Sequence, residues 1–146
     1  DVLRFPLAVA RGQAPAGTVF DVIEGDVVPI AFSMGLLQQA VLNLLVNAVH
    51  AIEDRANTHR RLAGRIEVST EADDDWVRIH VTDNGVGMSP HVMARASEPF
   101  YTTKTTGRGT GQGLALVRDI VQQHAGTVTI ESEEDIGTTV TIWLPR

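Results

Sequence analysis

The sequence predicts an α/β (α+β) two-layer sandwich, in which a mixed β-sheet carries its helices on one face. Two kinds of pattern predict this architecture: apolar residues at helical spacing in long stretches, and alternating apolar residues in shorter ones. A chain of 146 residues with 43% hydrophobic content is long enough for one domain with a buried core. We therefore expect a single domain over residues 1–146, with residues 1–17 as an N-terminal element or the remnant of a linker.

The first half of the chain contains the longest predicted helix. Residues 2–12 are compatible with a short helix or a strand, because Pro6 obscures the pattern. A turn over residues 14–17 leads to a strand over residues 18–23. A helix follows over about residues 34–54, and its apolar side is made of Leu37, Ala40, Val41, Leu44, Leu45 and Ala48.

Two further strands and a long loop follow. Residues 65–70 and 76–82 alternate as strands, with Asp73, Asp74 and Asp75 as the polar hairpin between them. Turn-forming residues then dominate residues 83–112, except for a short helix predicted where Ser89 and Pro90 have the residue types of an N-cap and a first helical position. A loop of about 30 residues in a compact domain is usually functional and often a lid.

The end of the chain predicts a helix and two strands. The helix presents Leu114, Val117, Ile120, Val121 and His124 on one side, and Gly126 stands at the position of a C-terminal cap. Residues 127–131 and 138–144 alternate as strands around a turn of Glu, Asp and Gly.

Composition narrows the class of protein. The net charge of −6 argues against nonspecific nucleic-acid binding, which needs basic patches. The absence of cysteine excludes disulfides, thiolate metal sites and a cysteine nucleophile, and it agrees with a reducing cytosol. No apolar run approaches the ~18 residues that span a bilayer, so we expect a cytoplasmic domain that is not inserted in a membrane. Because the sequence has no signature of dimerisation, we expect the isolated domain to be a monomer. Because the chain begins at Asp1 without a methionine, we expect a piece of a longer protein, either membrane-bound or soluble.

The first candidate site lies on the long helix, where Asn43, Asn47 and His50 form one stripe at helical spacing. Asparagine is unfavourable inside a helix unless its side chain has a partner. Two asparagines on one stripe therefore indicate amide oxygens offered to a hydrated cation such as Mg²⁺, or to groups bound to phosphates. The alternative is a solvated polar face of the helix.

The second candidate site is the run Asp83-Asn84-Gly85-Val86-Gly87-Met88, at the point where an apolar strand ends. A carboxylate there can accept a hydrogen bond from a buried planar ligand, such as the exocyclic amine of adenine. The glycines remove side chains from the wall of the pocket. The alternative is an Asn-Gly turn between strands, which these residues also favour.

The third candidate site is the predicted lid, Glu98-Pro99-Phe100-Tyr101-Thr102-Thr103-Lys104, followed by glycines at positions 107, 109, 111 and 113. The donors and positive charges of Thr102, Thr103, Lys104 and Arg108 suit a clamp over phosphates. The glycines let the backbone approach an anion, and the next helix points its unpaired N–H groups toward it. A flexible linker would have a similar composition.

In this order, the motifs resemble those of the ATP-binding catalytic domain of sensor histidine kinases, a branch of the GHKL (Bergerat-fold) ATPases. Residues 43–51 resemble the N box of that family, residues 83–87 its G1 box, residues 98–104 its F box and residues 107–116 its G2 box. Gly137-Thr138-Thr139 resembles its closing glycine motif. The lid motifs are similar to those of the subgroup of nitrogen-regulation kinases.

The resemblance implies a Bergerat ATP-binding fold with a long ATP lid, and a role for each matching residue. Asn47 would hold Mg²⁺, Asn43 would contact the nucleotide or its ion shell, and Asp83 would bind the adenine amine. Asn43 and Lys104 are the implied catalytic residues. The other implied ATP-binding residues are His50, Ala51, Gly85, Gly87, Met88, Tyr101, Thr102, Thr103, Arg108, Gly109, Thr110, Gly111, Gln112, Gly113, Leu114 and Thr138.

Two residues depart from the pattern of the family. His50 stands where many members carry Lys or Arg, so a phosphate contact there would depend on pH or be lost. Gln112 replaces a commoner apolar residue, which would alter how the lid seats.

The resemblance also implies a reaction. Hydrolysing relatives carry a glutamate one helical turn before the Mg²⁺-binding asparagine, whereas this chain has Asn43, which cannot act as a general base. Histidine kinases phosphorylate a histidine that precedes Glu or Asp on a separate dimerisation domain, and no histidine of this chain precedes an acidic residue. We therefore expect a module that binds Mg-ATP and transfers the γ-phosphate to a dimerisation domain outside this chain, with a response regulator downstream.

Two alternatives to a histidine kinase remain open. One is a serine-protein kinase and anti-sigma factor of the same fold. The other is a degenerate domain that only binds nucleotide or serves as a docking scaffold.

Overall fold

In the part of the chain that the structure describes, five strands form one mixed sheet. The structure is a computed structural model that describes residues 2–25, 30–57, 63–95 and 113–146. Its elements are α1 (Arg4–Gln13), β1 (Val19–Glu24), α2 (Met34–Ala56), β2 (Arg65–Ala72), β3 (Trp76–Asp83), α3 (Pro90–Arg95), α4 (Gly113–Gln122), β4 (Thr127–Glu133) and β5 (Gly137–Pro145). The strand order is β1-β2-β3-β5-β4, with β1 and β2 parallel and the other neighbours antiparallel. The predicted mixed sheet is confirmed.

The core lies between this sheet and α2. α2 contacts β2, β3 and β5, and it also packs against α1 and α4. Its apolar residues recur every three or four positions, which gives the helix one buried side. The buried residues of α2 are Leu37, Ala40, Val41, Leu44, Leu45, Ala48, Val49 and Ile52. The strands bury alternate residues against it, among them Ile66, Val68, Val77, Ile79, Val81, Val140, Ile142 and Leu144.

α2 is also apolar enough to correct one expectation. By length and mean hydropathy alone, Met34–Ala56 could cross a membrane, although the sequence was expected to contain no such run. In the structure it is the central helix of the core, with eight buried side chains. Packing against the sheet and the neighbouring helices therefore explains its apolar character.

Residues 2–12, which were compatible with a helix or a strand, belong mostly to α1. Leu3, Leu7 and Ala10 are buried on one side of this segment, at the spacing of a helix. Pro6 lies in the first turn of α1, where a missing backbone N–H removes no helical hydrogen bond. The proline that obscured the pattern is therefore compatible with the helix.

Side-chain hydrogen bonds confirm two of the predicted local structures. Oδ1 of Asp73 accepts the backbone N–H groups of Asp75 and Trp76 at 2.9 and 2.8 Å, which closes the turn between β2 and β3. Oγ of Ser89 accepts the N–H of Val92 at 3.3 Å, as an N-cap of α3 does.

The end of α4 differs from the prediction. His124 lies in the turn that ends the helix, and its Nδ1 is 2.8 Å from the carbonyl oxygen of Ile120. The residue with a left-handed backbone is Ala125 (φ 60°), not Gly126. The N–H of Gly126 donates to the carbonyl oxygen of Val121 at 3.0 Å, as in a Schellman motif.

Candidate functional site

Asp83 carries a carboxylate into the layer between sheet and helices. β3 buries every second residue from Val77 onward, and Asp83, its last residue, continues this alternation. Only 8% of Asp83 is exposed. This burial raises the pKa of Asp83 to about 6, although hydrogen bonds from the backbone N–H groups of Gly85 and Thr138 oppose the shift. The site therefore contains a buried charged group whose hydrogen bonds do not offset its desolvation.

The Asp83 loop, residues 84–88, follows Asp83 and packs closely on α2. The N–H of Gly85 donates to Oδ1 of Asp83 at 2.8 Å, and the N–H of Val86 donates to the backbone carbonyl of Ala51 at 3.0 Å. A Cβ on Gly85 would lie 2.5 Å from the carbonyl carbon of Ala51, so only glycine allows this approach. Ala51, a predicted site residue, supports the loop through its backbone.

The β4–β5 hairpin supports the other side of this loop. Gly87 has a φ of 67°, and a Cβ on it would lie 2.0 Å from the carbonyl oxygen of Glu133. The N–H of Met88 donates to Oγ of Ser132 at 2.9 Å, and the same hydroxyl lies 2.7 Å from Oγ1 of Thr138. Two predicted site residues, Met88 and Thr138, therefore meet at Ser132. The sequence analysis missed Ser132, since a lone serine in a strand carries no distinguishing signal.

The closing glycine motif lies directly beside the Asp83 loop. Thr138 is the β5 partner of Asp83 in the antiparallel register. Gly137 precedes it, and a Cβ there would lie 2.0 Å from the backbone oxygen of Asp83. The fold thus joins two motifs that are far apart in the sequence.

Asn47 connects the long helix to the beginning of α4. Gly113 is the first residue of α4, and a Cβ on it would lie 3.1 Å from Nδ2 and 3.3 Å from Oδ1 of Asn47. The beginning of a helix presents N–H groups without helical partners and the positive end of its dipole, both of which favour anions. Asn43 and His50 are half-buried on α2, and Leu114 packs against the core.

The remaining predicted site residues belong to the lid and lie outside the described residues. They are Tyr101, Thr102, Thr103, Lys104, Arg108, Gly109, Thr110, Gly111 and Gln112.

Arg55 joins α2 to the loop after Asp83 and to the β4–β5 turn, and the sequence analysis missed it. Its Nη1 donates to the carbonyl oxygens of Asn84, Gly85 and Ile136 at 2.8, 3.2 and 3.1 Å. The predicted helix ended at residue 54, whereas α2 continues to Ala56 and includes Arg55 in its last turn. A basic residue after the apolar pattern is the signal that could have extended the helix, because the helix dipole favours positive charge there.

Comparison with known proteins identifies the family. Residues 34–146 match the family described as histidine kinase-, DNA gyrase B-, and HSP90-like ATPase. The chain belongs to this family. It is 41% identical over 109 residues to sporulation kinase B of Bacillus subtilis (strain 168), covering 75% of this chain and 23% of that protein. It is 36% identical over 148 residues to sporulation kinase E of the same strain, covering 99% of this chain and 19% of that protein.

A solved structure supports the same assignment within the family. The mycobacterial sensor histidine kinase MprB superposes with a TM-score of 0.81 and 26% sequence identity, covering 99% of this chain and 93% of that one. The domain is therefore an ATP-binding catalytic domain of the histidine-kinase type, as the motifs predicted. It spans about a fifth of the length of the two sporulation kinases, which contain further sequence beyond this domain.

Proposed function

We propose that this domain binds Mg-ATP between α2, the end of β3 and the beginning of α4, and transfers the γ-phosphate to a histidine on a separate dimerisation domain. The proposal rests on two different binding environments that lie against the same helix, α2. The loop of Asp83 packs on Ala51, and Gly113 approaches Asn47. Asn47 and Ala51 are one helical turn apart, about 6 Å, so a base and its phosphates would share one face of the helix.

Asp83 is the proposed acceptor for adenine. Its carboxylate is ionised above about pH 6, and an ionised carboxylate only accepts hydrogen bonds. The exocyclic amine of adenine is a planar donor that fits a buried acceptor of this kind. Gly85, which donates to Oδ1 at 2.8 Å, holds the carboxylate in place.

The side chain of Asn47, beside the beginning of α4, fits a magnesium ion that the phosphates of ATP also coordinate. Within the described ranges, no three His, Cys, Asp or Glu side chains gather as a metal site. Mg²⁺ needs only one or two protein oxygens when phosphates and water supply the rest, and we assign that role to Asn47. Bound Mg²⁺ neutralises phosphate charge. Asn43 would contact the nucleotide or its ion shell, and Lys104 with the other lid residues would surround the triphosphate.

Transfer to a separate domain, rather than hydrolysis, is supported by Asn43. An amide one helical turn before Asn47 cannot deprotonate water, so positioning of an acceptor would decide the fate of the phosphate. The longer relatives leave room for such an acceptor domain, and a response regulator would act downstream of it.

The first experiment measures ATP affinity by calorimetry, with and without Mg²⁺. We expect wild type to bind more tightly with Mg²⁺, Asp83→Ala to lose binding, and Asn47→Ala to lose mainly the effect of Mg²⁺. Asp73→Ala is the matched control, because Asp73 is a carboxylate of the exposed β2–β3 turn. Wild type that does not bind ATP would identify a degenerate or docking domain instead.

The second experiment adds the dimerisation domain of the parent protein and ATP labelled at the γ-phosphate. We expect acid-labile, base-stable label on that domain, as phosphohistidine gives. Acid-stable label on serine of a partner protein would favour the serine-kinase alternative.

A further inference from the structure

Arg55 contacts the loop after β3 and the β4–β5 turn through backbone oxygens. Its Nη1 lies 2.8 Å from the carbonyl oxygen of Asn84, 3.2 Å from that of Gly85 and 3.1 Å from that of Ile136. Two of these oxygens belong to the loop after β3, and the third belongs to the β4–β5 turn. One guanidinium thus ties two segments to the last turn of α2.

Other hydrogen bonds join the same two segments. The N–H of Asp135 donates to the carbonyl oxygen of Val86 at 2.7 Å, and the N–H of Met88 donates to Oγ of Ser132 at 2.9 Å. The loop and the turn therefore form one supported unit, and Arg55 connects it to α2 beside the hydrogen bond from the N–H of Val86 to the carbonyl of Ala51.

The Asn84–Gly85 peptide unit links Arg55 to Asp83. Its carbonyl oxygen accepts from Nη1 of Arg55 at 2.8 Å. Its N–H, which belongs to Gly85, donates to Oδ1 of Asp83 at 2.8 Å. Because a peptide unit is planar and rigid, holding the oxygen fixes the direction of the N–H. Hydrogen bonds on both ends of one peptide also polarise each other.

We propose that Arg55 is a positioning residue for the nucleotide base: by holding the Asn84–Gly85 peptide, it orients the Asp83 carboxylate that reads the exocyclic amine. This inference rests on the proposed function. Arg55 acts through its hydrogen bonds to this peptide, whereas the pKa of Asp83 is raised by burial and lowered by two backbone N–H groups. Loss of Arg55 should therefore affect base discrimination more than phosphate binding.

The test compares the affinities of the full chain for ATP and for inosine triphosphate, which carries a carbonyl in place of the amine. We expect Arg55→Met to reduce the preference for ATP by about tenfold, the equivalent of one hydrogen bond to a charged group. Arg55→Lys keeps the charge and one short donor group, so it should retain part of the preference and remain folded. An unchanged preference in folded Arg55→Met, or in Arg55→Lys if the Met variant does not fold, would overturn the proposal.

The matched control is Arg78→Met. Arg78 also makes several contacts, with Glu71 at 3.0 Å, Asp73 at 3.2 Å and the ring of Trp143, but it lies away from the Asp83 loop. We expect it to leave the ratio of affinities unchanged. A lower ratio in this variant as well would show a general effect of lost stability and would overturn the specific role of Arg55.

A readout without nucleotide separates this inference from the proposed function. We expect the amide proton of Gly85 to exchange faster with solvent in Arg55→Met than in Arg78→Met, measured by NMR. If wild type does not prefer ATP, the proposed function fails, and faster exchange would still show that Arg55 holds the peptide. If wild type prefers ATP, but Arg55→Met changes neither the exchange of the Gly85 amide proton nor the ratio of the two affinities, the role of Arg55 is wrong while the proposed function stands.

Discussion

Replacing Asp83 with asparagine should stabilise the fold while weakening ATP binding. Asparagine has nearly the shape of aspartate, and its Oδ1 can still accept the N–H of Gly85 that lies 2.8 Å from the carboxylate. It carries no charge, however, so the desolvation that raises the pKa of Asp83 to about 6 no longer applies. The variant separates the cost of the buried charge from the geometry of the loop.

The size of the effect follows from the pKa. The shift from the ordinary value of 3.8 to about 6 corresponds to about 3 kcal/mol of destabilisation when Asp83 is ionised. Since the folded state binds the proton more tightly than the unfolded state, this cost is fully present above about pH 6 and disappears as the pH falls toward 4. The new NH2 group cannot accept the N–H of Thr138, and its burial costs about 1–2 kcal/mol, so Asp83→Asn should be more stable by about 1–2 kcal/mol at pH 7.5.

The assay is urea unfolding of wild type and variant at several pH values, because other titrating groups cancel in the difference. We expect the advantage of Asp83→Asn to shrink by about 1 kcal/mol between pH 7.5 and pH 5, while calorimetry shows weaker ATP binding throughout. A difference that does not change with pH, or that grows as the pH falls, would refute the argument that Asp83 is held ionised against its desolvation.

Three other substitutions test the glycines of the site and the N-cap of α2. Gly87→Ala should cost ~1–3 kcal/mol in urea unfolding, because it combines a positive φ with overlap of a backbone carbonyl. Its control Gly35→Ala, in open space on α2, should be neutral or stabilising by up to ~1 kcal/mol. Gly113→Ala should displace the Asn47 carboxamide and weaken Mg-ATP binding about tenfold by calorimetry; unchanged affinity would separate Asn47 from the site. Ser33→Ala, which removes the N-cap of α2, should cost ~1 kcal/mol in thermal unfolding.

The sequence predicted the sheet and the central helix well because their apolar patterns are long and regular. α2 is buried at the positions expected from its periodicity, and β3 alternates without exception from Trp76 to Asp83. The same alternation decides that Asp83 faces the helices. Order of motifs along the chain then identified the family, since each motif alone is compatible with an ordinary turn or polar face.

The supports of the Asp83 loop could not be predicted from local patterns. Arg55 and Ser132 act through contacts with residues far away in the sequence, and neither breaks a periodic pattern. The reversal at the end of α4 was assigned to Gly126, yet the left-handed residue is Ala125. Propensity favours glycine at a left-handed position, whereas Gly126 is explained by close packing, because a Cβ on it would lie 2.2 Å from the carbonyl oxygen of Trp143.

Asp83 also explains why glycines bring backbone N–H groups so close to the end of β3. The inner positions of β3 before it are apolar, and an apolar residue at position 83 would complete the core without the cost of a buried charge. The chain instead brings backbone N–H groups to this carboxylate by packing Gly85 on Ala51 and Gly137 on the backbone of Asp83. These donors still leave the pKa raised, so the carboxylate is incompletely compensated within the protein. A donor supplied by a bound base would complete the compensation, which is the reason to assign this residue to binding rather than to folding.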